Sequence, residues 1–212
     1  MKSYTILLDG ELCVTPRLLK QVRDSAVIVA DGAMRHIHSL HVTPQLWVGD
    51  FDSADPVLVE KYAHIERRRF PVAKDKTDGE LAVDFALERG ARRLVLCGAL
   101  GGKRTDHALF HLVYALKLQE QGIDVLLTSG SEEAYALLRG HYDFDFPQKT
   151  VFSVVGFTDL GALSISGAKW PLDNQDVLFG SSLTLSNEVH GHLQLTLGKG
   201  KAILLATLAE NG

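Results

Sequence analysis

With 212 residues, 46% of them hydrophobic, the chain can bury one large core or two small ones, and its composition is not that of a disordered segment. A formal net charge of −4 argues against a general nucleic-acid binder, which carries a basic excess or a basic face. No apolar run approaches the roughly 20 residues that span a bilayer, and the start lacks the regions of a signal peptide. Cys13 and Cys97 lie far apart among apolar neighbours without metal-ligand spacing, so a reducing, cytoplasmic setting is expected, with no membrane or nucleic-acid partner.

Through about the first two-thirds, short β-branched runs alternate with segments of helical period, the pattern of β-α units around a mostly parallel sheet. Strands are predicted at 4–8, 27–30, 46–48, 94–97 and 125–128. Helices fill the gaps. One opens at Asp55-Pro56, and a second at Thr77-Asp78-Gly79-Glu80, which has the S/T-x-x-E form of a capping box ahead of Leu81, Phe85 and Leu87. A third is capped by Asp106 and carries Leu109, Leu112, Val113 and Leu116 at three- and four-residue steps. The basic run Arg67-Arg68-Arg69 reads as a solvated helix end or strand edge.

Near 140–148 the period changes to two. Antiparallel strands are predicted at 150–157, 162–165, 182–186, 192–197 and 202–208, with turn signals at Asp159-Leu160-Gly161, Asp173-Asn174, His190-Gly191 and Gly198-Lys199-Gly200. The expected organisation is a Rossmann-like α/β domain with a mostly parallel sheet over 1–142, followed by an all-β sandwich domain over 143–212.

Ligands of open α/β sheets bind beyond the carboxyl ends of the strands, so the residues after each strand are diagnostic. Here they are Asp31-Gly32-Ala33, then Gly49-Asp50-Phe51-Asp52-Ser53, then a stretch from Gly98 through Gly101-Gly102-Lys103-Arg104-Thr105-Asp106-His107. With Asp75-Lys76-Thr77-Asp78 they make two carboxylate clusters and one glycine-rich basic loop. Mg²⁺ takes hard oxygen ligands, usually one or two carboxylates, and lets substrate phosphates complete its octahedron, so a Mg²⁺-phosphate site is expected. In the basic loop, glycines let backbone N–H groups converge on an anion, while Lys103 and Arg104 bring positive charge. Arg104 has the fork to grip two oxyanions. The loop is neither a Walker-A sequence nor a dinucleotide fingerprint. No serine or cysteine nucleophile stands in a recognisable setting, and the histidines lack zinc-site spacing; His36, His38, His190 and His192 read as surface or structural residues. Together these parts suit nucleotide-dependent phosphoryl-type transfer, whose catalysis is mostly positioning and charge neutralisation.

In this order and spacing, Ala30-Asp31-Gly32-Ala33, Gly49-Asp50-Phe51-Asp52-Ser53, Asp75-Lys76-Thr77-Asp78 and the 101–107 loop resemble the catalytic domain of the thiamine pyrophosphokinase family. Gly167-Ala168-Lys169-Trp170-Pro171-Leu172, Gly180 and Leu185-Ser186-Asn187 are similar to that family's thiamine-binding β domain. The resemblance implies transfer of a pyrophosphoryl group from ATP to the hydroxyl of thiamine, giving thiamine diphosphate and AMP, by a homodimer with active sites at the subunit interface. By position it implies Asp50, Asp52 and Asp78 as Mg²⁺-facing carboxylates, catalytic together with Arg104. It places Asp31, Gly32, Asp75, Thr77, Gly101, Gly102, Lys103, Asp106 and His107 around ATP. Trp170, Leu172, Ser186 and Asn187 would form the thiamine pocket, the indole stacking on the cationic heterocycle. The competing position for Trp170 is the core of the β domain. Two departures stand out: Lys103 intervenes where many members have Gly-Gly-Arg-x-Asp-His, and His111 stands where many have Asn. The competing functions are a pyrophosphokinase acting on another hydroxymethyl heterocycle such as a pterin, a Mg²⁺-dependent phosphohydrolase, and a nucleotide-binding sensor without chemistry.

Overall fold

The computed structural model describes residues 2–51, 56–70 and 75–208, and the chain divides into two compact units. The first comprises Met1–Ala108 and Ile123–Gly130. Its strands are β1 (Ser3–Leu7), β2 (Ala26–Ala30), β3 (Pro44–Gly49), β4 (Glu66–Arg69), β5 (Arg93–Cys97) and β6 (Asp124–Thr128). They pair in the order β6-β5-β1-β2-β3-β4, every neighbouring pair parallel. All but β4 are buried along most of their length, as parallel strands are when both faces are covered. β4 was not predicted as a strand. Its Glu-Arg-Arg-Arg sequence is fully exposed, and such charges guard an edge against further pairing.

Local signals account for the helices of this unit. In α1 (Pro16–Val22) the Thr15 side chain accepts from the Leu18 N–H and proline occupies the first turn. A 3₁₀ helix spans Asp31–His36, and α2 (Pro56–Lys61) starts at the expected proline. α3 (Asp78–Glu88) has the predicted capping box: Thr77 Oγ1 accepts from the Glu80 N–H at 3.2 Å, and Glu80 Oε2 accepts from the Thr77 N–H at 2.9 Å. It buries Ala82, Val83 and Ala86 and packs against β1, β2 and β3. α4 (Thr105–Glu120), whose residues from Leu109 onward belong to the second unit, begins earlier than expected: the Ala108 N–H donates to the Arg104 carbonyl, so Asp106 lies in the first turn and is not the cap. Its buried residues are Tyr114, Ala115, Leu116 and Leu118, while Leu109 and Val113, expected inside, are exposed. Cys97 is buried, which pushes its thiol up to about 12, but Cys13 is exposed, contrary to expectation.

The second unit comprises Leu109–Gly122 and Ser131–Gly212. Its strands are β7 (Glu132–Leu137), β8 (Gly140–Phe144), β9 (Val151–Gly156), β10 (Leu160–Ala168), β11 (Leu172–Val177), β12 (Asn187–Leu197) and β13 (Ala202–Thr207), all paired antiparallel. β12 divides its length: Asn187 and Glu188 pair with β9, whereas 193–197 pair with β8. One apolar core joins these strands, with Leu137, Phe144, Phe152, Leu163, Leu193 and Leu204 among its members.

Several expectations for this part need correction. β7 and β8 were not predicted, and the expected join at 142/143 falls inside β8. Residues 182–186 form a turn, closed by the Leu185 N–H on the Ser182 carbonyl. His190-Gly191 lies within β12. Asp173-Asn174 lies within β11, whose polar residues 173–176 face solvent and whose Asn174 takes a φ of 50° where the register shifts. At His190-Gly191 and Asp173-Asn174 sheet pairing overrides a local turn signal. Among the described residues, no helix is long and apolar enough to cross a membrane.

Candidate active site

In the first unit, β2, β3 and β4 extend the sheet to one side of β1, and β5 and β6 to the other. The crevice where such an order reverses is where open α/β sheets take ligands. Two glycines floor it. A Cβ on Gly10, just after β1, would lie 2.1 Å from the Gly98 carbonyl oxygen, and one on Gly98, just after β5, 2.5 Å from the Leu8 oxygen. Gly98 also has a φ of +77°, so no other residue fits there without strain. The result is a floor of bare backbone at the sheet's carboxyl edge.

Carboxylates rise around it. Asp31 follows β2 with a φ of 43°, and its carbonyl accepts the Trp47 indole N–H at 2.9 Å. A Cβ on Gly49 would lie 3.2 Å from Asp31 Oδ1, so the Asp31 carboxylate rests against the backbone one residue before Asp50. Between the two expected metal carboxylates, Phe51 takes a φ of 62° and turns its ring edge-on to Trp47, 5.0 Å between centroids, beneath the Arg69 guanidinium. Asp52 and Ser53 lie outside the described residues. Asp78 begins α3, whose next residue, Gly79, is pressed on Leu8 at the end of β1. Among the described residues no three His, Cys, Asp or Glu side chains converge as a metal cluster. Mg²⁺ does not need such a cluster, because it takes one or two carboxylates and draws its remaining ligands from water and phosphate.

The remaining expected residues fall into two kinds. Asp75 and Thr77 are exposed, and the Thr77 hydroxyl is engaged by the capping box. Gly101 and Gly102 both take positive φ, and Lys103 is exposed. Arg104 is held by its own helix: Nε and Nη2 donate to the two Asp106 oxygens at 2.9 and 2.7 Å, and Nη2 donates to His107 Nε2 at 2.8 Å. This fork holds the Asp106 carboxyl well below the usual carboxylate range and raises the guanidinium.

Asp9 and Arg35 belong to this edge and were missed, and His36, read as a surface or structural residue, holds the same turn. Arg35 Nη2 donates to the Asp9 carbonyl at 2.6 Å and the Gly10 carbonyl at 3.2 Å, while Nη1 meets the Asp9 carboxylate. His36 Nε2 donates to the Gly10 carbonyl at 3.0 Å, and burial lowers its pKa. Asp9-Gly10 follows β1 as Asp31-Gly32 follows β2, so the strand-end rule was able to find it. A separate recess of about 210 Å³, lined by His38, His41, Thr43, Tyr62 and His64 among others, lies at the amino ends of β3 and β4, away from these groups.

In the second unit Trp170 is 56% exposed, which removes the core position for it. Its peptide is bracketed by one side chain: Asn187 Oδ1 accepts the Trp170 N–H at 3.1 Å, and Asn187 Nδ2 donates to the Trp170 carbonyl at 2.7 Å. Asn187 is itself buried. Lys169 Nζ lies 4.8 Å from the indole centroid, so one face already meets a cation. Ser186 takes a φ of 55° and donates its N–H to Ser153 Oγ at 3.0 Å, and Leu172 packs on the unit's core.

Residues 18–127 match the family model of the thiamin pyrophosphokinase catalytic domain, and residues 141–200 that of the thiamin pyrophosphokinase vitamin B1 binding domain. The chain belongs to the thiamin pyrophosphokinase family. It is 28% identical to the thiamine pyrophosphokinase of Bacillus subtilis over 214 residues, covering 97% of this chain and 98% of that one. The crystal structure of the Bacillus subtilis enzyme superposes with a TM-score of 0.87 at 26% identity, covering 98% of this chain and all of the other. The thiamin pyrophosphokinase of Candida albicans shares the fold at a TM-score of 0.80 and 13% identity, over 98% of this chain and 89% of its own. The activity of this family is transfer of a pyrophosphoryl group from ATP to thiamine, and this chain is an enzyme of that activity.

Proposed function

We propose that ATP binds at the carboxyl edge of the parallel sheet, in a Rossmann-like first unit, with its phosphates over the backbone floor made by Gly10 and Gly98. The observation that carries this reading is the packing of the β1 and β5 turns at that edge, where a Cβ on Gly10 would lie 2.1 Å from the Gly98 oxygen, which fixes both turns beside the strand-order reversal where open α/β sheets take ligands. Asp50, Asp52 and Asp78 are the catalytic carboxylates and the residues that would hold Mg²⁺, with Asp31 beside them. When bound, Mg²⁺ supplies neutralisation of triphosphate charge. Gly32, Gly101 and Gly102 admit backbone close to the nucleotide, and Asp75 and Thr77 shape its border from the start of α3. Lys103 and Arg104 meet the phosphate oxygens, Arg104 being oriented by Asp106 and His107.

AMP as leaving group requires attack at the β-phosphorus: the thiamine hydroxyl oxygen forms the new O–P bond, and the bond between the β-phosphorus and the α,β-bridging oxygen breaks. Trp170 stacks on the thiamine rings, Asn187 fixes the peptide that carries it, and Ser186 and Leu172 shape the surround. The vitamin B1 binding domain match favours thiamine over a pterin acceptor. We further propose a cytoplasmic homodimer in which one chain's thiamine pocket serves its partner's phosphate site. The exposed Leu178, Phe179, Leu183 and Leu185, close in sequence to Ser186 and Asn187, support a covered face. Mixing Asp50→Asn chains with Trp170→Ala chains, assayed at thiamine far below its KM, tests it. Shared sites raise the activity above that of the two variants measured separately, whereas sites built within one chain give no gain. AMP release that depends on added thiamine separates transfer from hydrolysis.

A further inference from the structure

We infer that Arg35 is a positioning residue that cancels the charge of Asp9, so that the first strand-end turn does not repel the nucleotide. This rests on the placement of ATP at the carboxyl edge. Asp9 follows β1 directly, and its carboxylate lies flat against the next strand end: a Cβ on Gly32 would meet Asp9 Oδ1 at 2.9 Å and Oδ2 at 3.3 Å. Asp31, the neighbour of Gly32, lies against Gly49 in the same way. The edge therefore carries Asp9, Asp31 and Asp50 on three adjacent strand ends, more negative charge than a triphosphate site tolerates unless part of it is matched.

Arg35 meets that need. It leaves the 3₁₀ helix after β2 and closes on the β1 turn through three contacts, the Asp9 carboxylate, the Asp9 carbonyl and the Gly10 carbonyl. His36 adds a fourth contact, again to the Gly10 carbonyl. Both partners of the ion pair are about half exposed, and a pair so placed adds little to folding. Its consequence is electrostatic: Asp9 is matched by its own guanidinium, so its charge is not added to that of Asp31 and Asp50 at the same edge. Arg35 also keeps Gly10 seated on Gly98, so a charge effect and a tethering effect have to be told apart by experiment.

Equilibrium binding of MgADP to the full chain, by calorimetry without thiamine, does so. Arg35→Gln keeps donors for the carbonyls and removes the charge; it should raise the Kd by about tenfold, the order expected of one unit charge acting over a few ångströms at a partly solvated site. Adding Asp9→Asn to it should return the Kd to within about threefold of wild type, and Arg35→Lys alone should bind about as well as wild type. The loss in Arg35→Gln should shrink as salt rises from about 0.05 to 0.5 M, because screening acts on charge and not on tethering. An unrescued double variant, or a loss independent of salt, overturns the inference. Should Arg35→Gln fail to fold, Asp9→Asn against Asp9→Glu supplies the test: the first should bind MgADP at least as tightly as wild type, and weaker binding overturns it. Asp31→Asn is the control for the placement itself. If it leaves MgADP binding unchanged, the nucleotide lies elsewhere, whatever Arg35 does.

Discussion

At the carboxyl edge of the parallel sheet, main chain meets main chain: Gly10 lies on Gly98, and Gly32 and Gly49 give way to the carboxylates of Asp9 and Asp31. At the Trp170 corner of the second unit the order is reversed. A large side chain stands out in solvent while the buried Asn187 amide holds its peptide from beneath. On the proposed function, the first region would recognise its ligand through main chain and charges at strand ends, and the second through an aromatic surface set by one amide bracket. Substitutions should therefore fail differently: at the sheet edge chemistry or folding is lost outright, whereas at the tryptophan corner affinity is lost for one substrate only.

The largest effect is expected from Asp50→Asn. Removing one charged group from a preorganised site costs about 10²-fold or more in turnover. Asp50 follows the buried end of β3 without belonging to the core, so thermal unfolding should hardly move. Near wild-type turnover at ordinary Mg²⁺ would take Asp50 out of the chemistry. Gly98→Ala is the complementary break. Its Cβ would sit 2.5 Å from the Leu8 oxygen at a φ of +77°, and a non-glycine forced into such a region costs of order 1–3 kcal/mol before the clash is counted. Denaturant unfolding should show that loss, and an unaltered midpoint would mean that the crevice floor is not as tight as described.

How much of this was legible differs between the two regions for the same physical reasons. A parallel sheet is written as separate apolar runs with polar residues at their carboxyl ends, so the positions of Asp31 and Asp50 after their strands, and of Asp78 at the start of α3, were legible in local sequence. Asp9 was passed over although the same rule covers it, and Arg35 gave no local sign, because its importance lies in contacts 25 and 26 residues away. In the β-rich unit local signals misled. Gly167 has a φ of +69°, and a Cβ there would lie 2.0 Å from the His192 carbonyl oxygen, so its role is set by the crossing of β10 on β12. The polar β11 was read as a turn for the same reason, since a strand that pairs only with β10 among the described residues can leave most of its residues in water.

Trp170→Ala and Asn187→Ala sharpen the second half of the comparison. Loss of the indole should raise the thiamine KM by about 2- to 30-fold, the range of a cation–π contact of about 0.5–2 kcal/mol, with MgATP binding and unfolding unchanged. Asn187→Ala should raise the same KM but also lower stability by about 1–3 kcal/mol, because two peptide groups of Trp170 lose a buried partner. Steady-state kinetics with each substrate varied, alongside denaturant unfolding, read both. If Asn187→Ala kept wild-type stability, the amide would be a substrate contact and not a bracket.

The smallest effect belongs to the Arg104–Asp106 fork, and pH is the means to see it. The Asp106 carboxyl is held below its unfolded value, first by its hydrogen bonds from Arg104. A group depressed in the folded state binds its proton more readily when unfolded, so its contribution is complete above the ordinary carboxylate range and is lost as pH falls through the folded value. Both side chains are well exposed, 66% and 65%, so solvent screens most of the gain. The difference in unfolding free energy between wild type and Asp106→Asn should be small, flat above about pH 5, and should shrink below about pH 4, where the unfolded carboxyl takes up its proton. A difference that persisted undiminished well below that range would show that the fork acts through the geometry of the first turn of α4, with charge contributing nothing measurable.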